Sequence, residues 1–583
     1  MLIQSHKWRW FFYISLVAIF SAVSCNNSQE QQFSIQTPTP VIFSDNETLN
    51  EPTAPKSTEP PTQPHMEVSK PILPTNVPTE IAAVNTNIPT PHITSIGNYG
   101  GTLTIPTEAW FESLNPHMEG SDAFAAWGPG IAYSRLMKFK TNESISLPSL
   151  STECDLCSNW IMVSPKEFLF EIRKDINWHY DNVQKSERVT AKDIAYSLQL
   201  QGHDSSPNSH IIHMIENVEA MSDDELRINL VWPDADFFAA LANGRTKIVS
   251  PHRTDSYQAD QSYFKSATSG SWTLDKYDEN GIAKMISRMG ITDPPRLDAI
   301  QFNFVPDSTA RVAGYRVGLL DLINLHTTNT DSKHIQARFQ NPVPGSGFEL
   351  AFNTNHKPLD SKVVRQTIMA STNPTLVIDN AWEGQGFFSF GFPWSNSKWA
   401  PSPNLLQTFF SNTNPKIATN ENQILRIDIT VGNFNKNHND SVELLSKQLT
   451  ESGFNPVINY VDRRTYANHW QTGDFQILAG PTFPQSTPNG YLLPVLHSDG
   501  KWNTTKHKDN TLDSLLEKQA IEYDSDARTT IIQMINVHLL ENAYRFMPIT
   551  NMEAWAWPNK MINFHPNFSS GEYSHWQHVW IEP

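Results

Sequence analysis

Apolar and polar positions along the chain change period repeatedly, and the changes predict alternating strands and helices. Phe168, Phe170 and Ile172 alternate with Leu169 and Glu171, the period-two pattern of a half-buried strand. Thr190-Ala191-Lys192-Asp193 then reads as an N-cap with a carboxylate three residues on, opening a helix with Ile194 and Leu198 on one face. Leu226, Ile228, Leu230 and Trp232 form a second alternating strand, stopped by Pro233. Ile300, Phe302 and Phe304 repeat the theme, followed by Pro306-Asp307-Ser308 and a helix ending near Gly318. Leu425, Ile427 and Ile429, a helix from about Asp440 to Leu449, and Val457 to Val461 predict a βαβ unit. Helices near 511–521 and 526–544 close the chain. The sequence predicts an α/β fold with more than one lobe, starting at a short strand around Leu103 to Ile105.

The first hundred residues follow different rules. His6, Lys7 and Arg9 precede an apolar run from Phe11 to Val23, the length of a signal-peptide core and too short to span a bilayer comfortably. The run ends in Ala22-Val23-Ser24-Cys25, which resembles the bacterial lipobox with Ala22 where Leu is commoner. Residues 1–24 are expected to be removed, and Cys25 is expected to carry the lipid that tethers the protein outside the cytoplasm, in the periplasm or at the outer cell surface. Residues 26–95 hold 12 of the 40 prolines among Thr, Ser, Asn and Gln. Such sequence buries too little apolar area to offset chain entropy, so residues 25–96 are expected to form an extended linker. At roughly 3 Å per residue it can hold the body well over 100 Å from its anchor.

Composition narrows the function classes. The net charge of −17 offers no basic face for nucleic acid and no attraction to anionic lipid, so membrane attachment needs the anchor. Cys154-Asp155-Leu156-Cys157 reads as a local disulfide pinning one loop, with free thiols as the alternative. Among 20 histidines, His210 and His213 lie three apart and His497 and His507 flank a polar loop, but no carboxylate joins them at ligand spacing. These are read as solvated or capping side chains. No G-x-S-x-G elbow or P-loop is present, so no catalytic residue, metal site or cofactor is expected.

Taken in order, several segments are similar to the family 5 extracellular solute-binding proteins, the dipeptide, oligopeptide and nickel-binding group. Gly100-Gly101-Thr102-Leu103 and Ser113-Leu114-Asn115-Pro116-His117 resemble that family's opening strand and turn. Phe168 to Trp178, followed by Val189-Thr190-Ala191-Lys192-Asp193-Ile194-Ala195-Tyr196-Ser197, resembles its most specific signature. Thr268 to Leu274, then Leu350-Ala351-Phe352-Asn353-Thr354 with Val364-Arg365-Gln366, continue the match in family order.

The resemblance implies a two-lobe periplasmic-binding-protein clamshell with an extra subdomain in lobe I. Lobe I is expected from 97–138, 221–345 and 541–583, its extension from 139–220, and lobe II from 346–540, with crossings near 345 and 541. It further implies a monomer that closes on a peptide or similar-sized solute and presents it to an ABC permease. An oligosaccharide or metal-chelate ligand, or a surface sensor uncoupled from transport, is the alternative.

Family peptide binders hold the free amine with an aspartate in a stretch matching Gly480 to Pro488, and here Pro484 stands in its place. A proline neither pairs with an ammonium nor donates a backbone hydrogen bond, which disfavours free-amine peptides unless Asp499 or another carboxylate substitutes. Candidate contacts implied by the resemblance are Ser269, Gly270, Asn353, Thr482, Phe483 and Gln485. Trp394 and Trp399, in a Gly/Pro/Ser-rich loop, are either pocket walls or packing residues.

Overall fold

The structure, a computed structural model, describes residues 99–583 apart from 143–144, 146–148, 180–186, 252–266, 279–280, 326–334, 343–346, 389–398, 400, 413–423, 483–486 and 568–570. Residues 1–96 form one unit of the chain and 97–583 a second, to which both lobes belong. Cys25 and the linker lie outside the described residues.

Strand β1 (Thr102–Thr107) opens lobe I and turns Leu103 and Ile105 inward. The chain then leaves for the extension. There β2 (Cys157–Ser164), β3 (Glu167–Ile172), β4 (Ile215–Ala220) and β5 (Glu225–Leu230) make an antiparallel sheet in the order β2-β3-β5-β4. Helix α1 (Ala191–Gln201) lies against it, and Ile194 and Leu198 join Phe168, Phe170, Leu226 and Ile228 in one core. The capping box forms as expected: the Asp193 carboxylate accepts from the Thr190 N–H at 2.9 Å. The same oxygen accepts from the Trp178 indole at 3.1 Å, so the Trp and Asp of the signature are one buried contact. The extension reaches past residue 220, where it was expected to end, because β5 is the strand that β3 and β4 both pair with. Helix α2 (Phe237–Ala242) packs in the same core. Cys154 and Cys157 are disulfide-bonded at the base of β2.

Lobe I resumes with β6 (Trp272–Asp278), β7 (Ile282–Ser287) and β8 (Ala299–Phe304), which complete a sheet in the order β1-β8-β7-β6. β1 and β8 are parallel, with Leu103 opposite Ile300 and Ile105 opposite Phe302. Helix α3 (Ser308–Arg316) starts on the Asp307 cap and stops before Gly318, whose φ of +75° suits glycine. Strands β9 (Ile323–Leu325) and β10 (Phe339–Pro342) lead out of the lobe.

Lobe II is built on β11 (Phe348–Phe352), β12 (Leu425–Gly432), β13 (Phe454–Val461) and β14 (Ile477–Pro481). β12 runs parallel to both β13 and β14, the expected βαβ arrangement. The crossover helix α4 (Lys436–Glu451) buries Val442, Leu445 and Leu449. Helices α5 (Arg463–Thr472), α6 (Pro488–Leu496), α7 (Asn510–Ala520) and α8 (Ser525–Asn542) follow.

The last long strand, β15 (Arg545–Ala556), joins the lobes. Its first half pairs with β11, Leu350 facing Phe546 and Phe348 facing Ile549. Its second half pairs with β10 from Met552 to Trp555 and with β9 to Ala556. The change of partner falls between Ile549 and Met552, later than the crossing expected near 541. The reason is that α8 buries Ile532, Ile535, Leu539 and Leu540 in the lobe II core, so residues up to 542 belong there.

Charged pairs anchor each core. In lobe I the Arg135 guanidinium grips Glu572 at 2.7 and 2.9 Å and also donates to the Ala242 carbonyl at 2.7 Å. Burial alone pushes the Glu572 carboxyl up, but the Arg135 charge and hydrogen bonds outweigh it and hold the carboxyl at about 2. The Glu572 contribution to stability is therefore present above the ordinary value of 4.5 and is lost as pH falls toward 2. Arg135→Met strands the buried carboxylate, and a loss of about 3–5 kcal/mol in urea unfolding is expected. Adding Glu572→Gln is expected to restore much of it, and failure of that recovery would show that the pair does not act as a unit.

Several histidines are more deeply buried than expected from the sequence. His210 and His213 are exposed, but His117, His438 and His507 are buried. Burial lowers the imidazoles of His117 and His438 from 6.5 to about 4. Below pH 6.5 the unfolded chain takes up protons that these folded sites refuse, so stability falls between about 6.5 and 4. Chemical denaturation at pH 7, 5.5 and 4 is expected to show this decline, and substituting His438→Gln is expected to flatten it.

Candidate functional site

Solutes in open α/β sheets bind beyond the carboxyl ends of the parallel strands. In lobe II those ends are Gly432 of β12, Val461 of β13 and Pro481 of β14, with the start of β11 beside them. Thr482 follows directly on β14, is 2% exposed, and leads into the segment 483–486. The residues implied to hold a solute do not all gather there.

Asn353 sits at the opposite end of the sheet. β11 and β14 are antiparallel, with Phe348 facing Pro481 and Phe352 facing Ile477. At about 3.4 Å per residue, this register leaves Asn353 on the order of 20 Å along the strand from Thr482. Its side chain serves the fold: Nδ2 donates to the Gly473 carbonyl at 2.6 Å and Oδ1 accepts from the Asn355 N–H at 3.1 Å. The expectation that Asn353 faces the cleft is corrected accordingly.

Ser269 and Gly270 precede β6 in lobe I. The Ser269 hydroxyl accepts from the Ser134 N–H at 3.2 Å, and the Gly270 N–H donates to the Ala132 carbonyl at 2.8 Å. A Cβ on Gly270 would lie 2.8 Å from that carbonyl oxygen, so glycine here permits two backbone segments to touch. Trp399 is 6% exposed in the lobe II core, and its carbonyl accepts from Asn536 Nδ2 at 2.6 Å, so packing rather than a pocket wall describes it. Trp394, Phe483 and Gln485, together with Pro484, lie outside the described residues.

Beneath the carboxyl ends lies a charged pair that sequence reasoning missed. Glu349, on β11 opposite Gly480, accepts from Arg545 at 2.7 Å, and Arg545 donates to the Thr504 hydroxyl at 2.5 Å. Burial pushes the Glu349 carboxyl up and the Arg545 charge opposes it. Tyr466 of α5 lies over Gly480 so closely that a Cβ there would be 2.3 Å from its hydroxyl. No local motif marks this group, because its members come from β11, α5, residue 504 and β15. Of the expected contacts, the described residues thus place Thr482 at these strand ends, over a compensated ion pair. Among the described residues no group of three or more His, Cys, Asp or Glu is placed to hold a metal ion.

Comparison with known proteins agrees with this architecture. Residues 152–503 match the model described as bacterial extracellular solute-binding proteins, family 5 Middle. The probable di/tripeptide-binding protein 5 of Pseudomonas aeruginosa is 21% identical over 486 residues, covering 78% of this chain and 91% of the relative. The dipeptide-binding protein of Escherichia coli is 22% identical over 307 residues, 49% of this chain and 56% of the relative. Among solved structures, the unliganded open form of MppA, a periplasmic murein tripeptide binding protein, superposes with a TM-score of 0.71 at 16% identity, covering 84% of this chain and 99% of that one. The fold is the two-lobe clamshell with an extension on lobe I.

If Asn353 is a fold residue, Asn353→Ala is expected to cost about 1–3 kcal/mol in thermal or urea unfolding through its lost bonds to Gly473 and Asn355. A variant of unchanged stability that binds solute poorly would return Asn353 to the binding surface.

Proposed function

Because the chain belongs to the bacterial extracellular solute-binding proteins of family 5, we propose that it captures peptides or similar-sized solutes between its lobes and presents them to an ABC permease. The observation that carries this reading is the strand β15, which pairs with lobe II in one half and lobe I in the other. A ligand that touches both lobes gains contacts only when they close, so binding shifts the population toward the closed form. No bond in the solute has to break, and the proposed activity is capture without catalysis. Relatives named for di- and tripeptides support the solute class.

The same reading includes a lipid on Cys25, with residues 26–95 as spacer and a monomeric body outside the cytoplasm. No helix among the described residues is long and apolar enough to cross a membrane. Pro484 replaces the carboxylate that pairs with a peptide amine, so the proposed preference is for solutes that do not depend on that pair. Ser269, Gly270, Thr482, Phe483, Gln485 and Trp394 remain the proposed contacts.

Native mass spectrometry of the purified protein, followed by calorimetric titration with di- and tripeptides in free and N-acetylated form, tests the reading. A bound peptide released unchanged, with acetylation costing little, is expected. A large preference for the free amine would overturn the argument from Pro484, and conversion of any of these compounds to product would overturn capture without catalysis.

A further inference from the structure

Helix α6 begins directly after the segment that follows β14, and its own N-cap residue, Thr487, makes no side-chain cap bond. The missing bond comes from the other lobe. Asp236, which precedes α2 in the extension, accepts from the Asn489 N–H at 2.8 Å. Around this contact a polar network crosses from the extension to lobe II. Arg528 of α8 donates to Asp236 at 2.7 Å and to the Ala235 carbonyl at 3.1 Å. Asn489 donates to Asp234 at 2.7 Å, and its side-chain oxygen accepts from Arg528 at 3.0 Å and from Gln519 at 2.9 Å. Tyr523 completes the junction, accepting from the Asp234 N–H at 2.9 Å while donating to the Pro165 carbonyl at 2.8 Å. Asp234, Asp236, Gln519 and Arg528 are all buried.

We propose that this network is an interlobe latch, in which Asp236 of the extension caps α6 of lobe II in trans and Arg528 locks the contact while the lobes are together. The proposal rests on the two-lobe capture reading but not on which solute is captured. Its physical basis is the chemistry of the junction. Apart from the Tyr523 ring, which packs against Phe168 and Phe238, these contacts are hydrogen bonds and one ion pair. Arg528 pairs with Asp236 while Asp234 is held by Asn489, and burial together with the Asp236 charge raises the Asp234 carboxyl above its ordinary value. A buried ion pair contributes little net stability because its desolvation cost nearly cancels its attraction, and its members regain water on separation. Polar junctions of this kind suit contacts that form and break, whereas permanent ones are more apolar. The capped turn also lies close in sequence to the expected site: Asn489 is seven residues beyond Thr482, which follows β14.

Double electron–electron resonance on the full chain tests this without any solute. Nitroxides are placed at Glu216→Cys on the exposed side of the extension and Lys447→Cys on the exposed side of α4, with Cys25→Ser to exclude a third label. The parent is expected to show a short-distance population that Asp236→Asn and Arg528→Met each reduce several-fold, with the double variant no more open than either single one. Because Asp236→Asn keeps shape, it guards against a misfolded Arg528 variant. Hydrogen exchange is expected to show lost protection at the start of α6 in both variants. Unchanged distances in both variants would overturn the latch and leave a static seam, as would retained protection at Asn489. Neither result depends on whether peptides bind.

Discussion

β15 has to satisfy two sheets at once. Its amides and carbonyls pair with β11 as far as Ile549 and with β10 and β9 from Met552 onward, so the two lobes share one continuous backbone ladder. A backbone ladder tolerates twist far better than it tolerates loss of its hydrogen bonds. At the change of partner Thr550 and Asn551 pair with Phe387 and Gly386, while each half stays in register with its own lobe. Everything else can then be rigid: Arg135 and Glu572 fix lobe I to the C-terminal segment, and Glu349 and Arg545 fix β11 to the start of β15 itself. Buried pairs of this kind specify position more than they add stability.

How much of this the sequence discloses depends on the distance over which each interaction acts. The cap between Thr190 and Asp193 spans three residues, and the pattern alone announces it. The cap between Asp236 and Asn489 is the same chemistry across 253 residues, and nothing near Pro233-Asp234-Ala235-Asp236 distinguishes those aspartates from an ordinary helix start. Period-two alternation found β3, β5, β8 and the first half of β12, because burial alternates along them. It does not say that β5 pairs with both β3 and β4, which is why the extension continues past the expected boundary.

The candidate site divides along the same line. Asn353 matches a family segment, yet antiparallel pairing with β14 carries it to the end of the sheet away from Thr482. Matching a motif places a residue in sequence order; only the register places it in space. Gly480 shows the reverse case. An ordinary glycine in a strand pattern suggests weakness, but here it makes room for the Tyr466 hydroxyl over the strand end. Trp399 had two readings from its loop context; Asn536 of α8 bonds to its carbonyl and the residue is buried in the core.

The trans cap links these observations into one argument about closure. The first turn of a helix has backbone N–H groups with no partner inside the helix, and a carboxylate placed there also meets the positive end of the helix dipole. With Thr487 making no side-chain bond, the first turn of α6 depends on the extension for its cap. When the lobes separate, that turn loses the cap. When the lobes meet, the cap is restored, so the end of β14 and the start of α6 are each held by hydrogen bonds. The helix start nearest the strand ends expected to hold the solute is then capped in the arrangement that encloses it. Closure and binding reinforce each other through a single hydrogen-bonded turn, with no need for the solute to touch the latch.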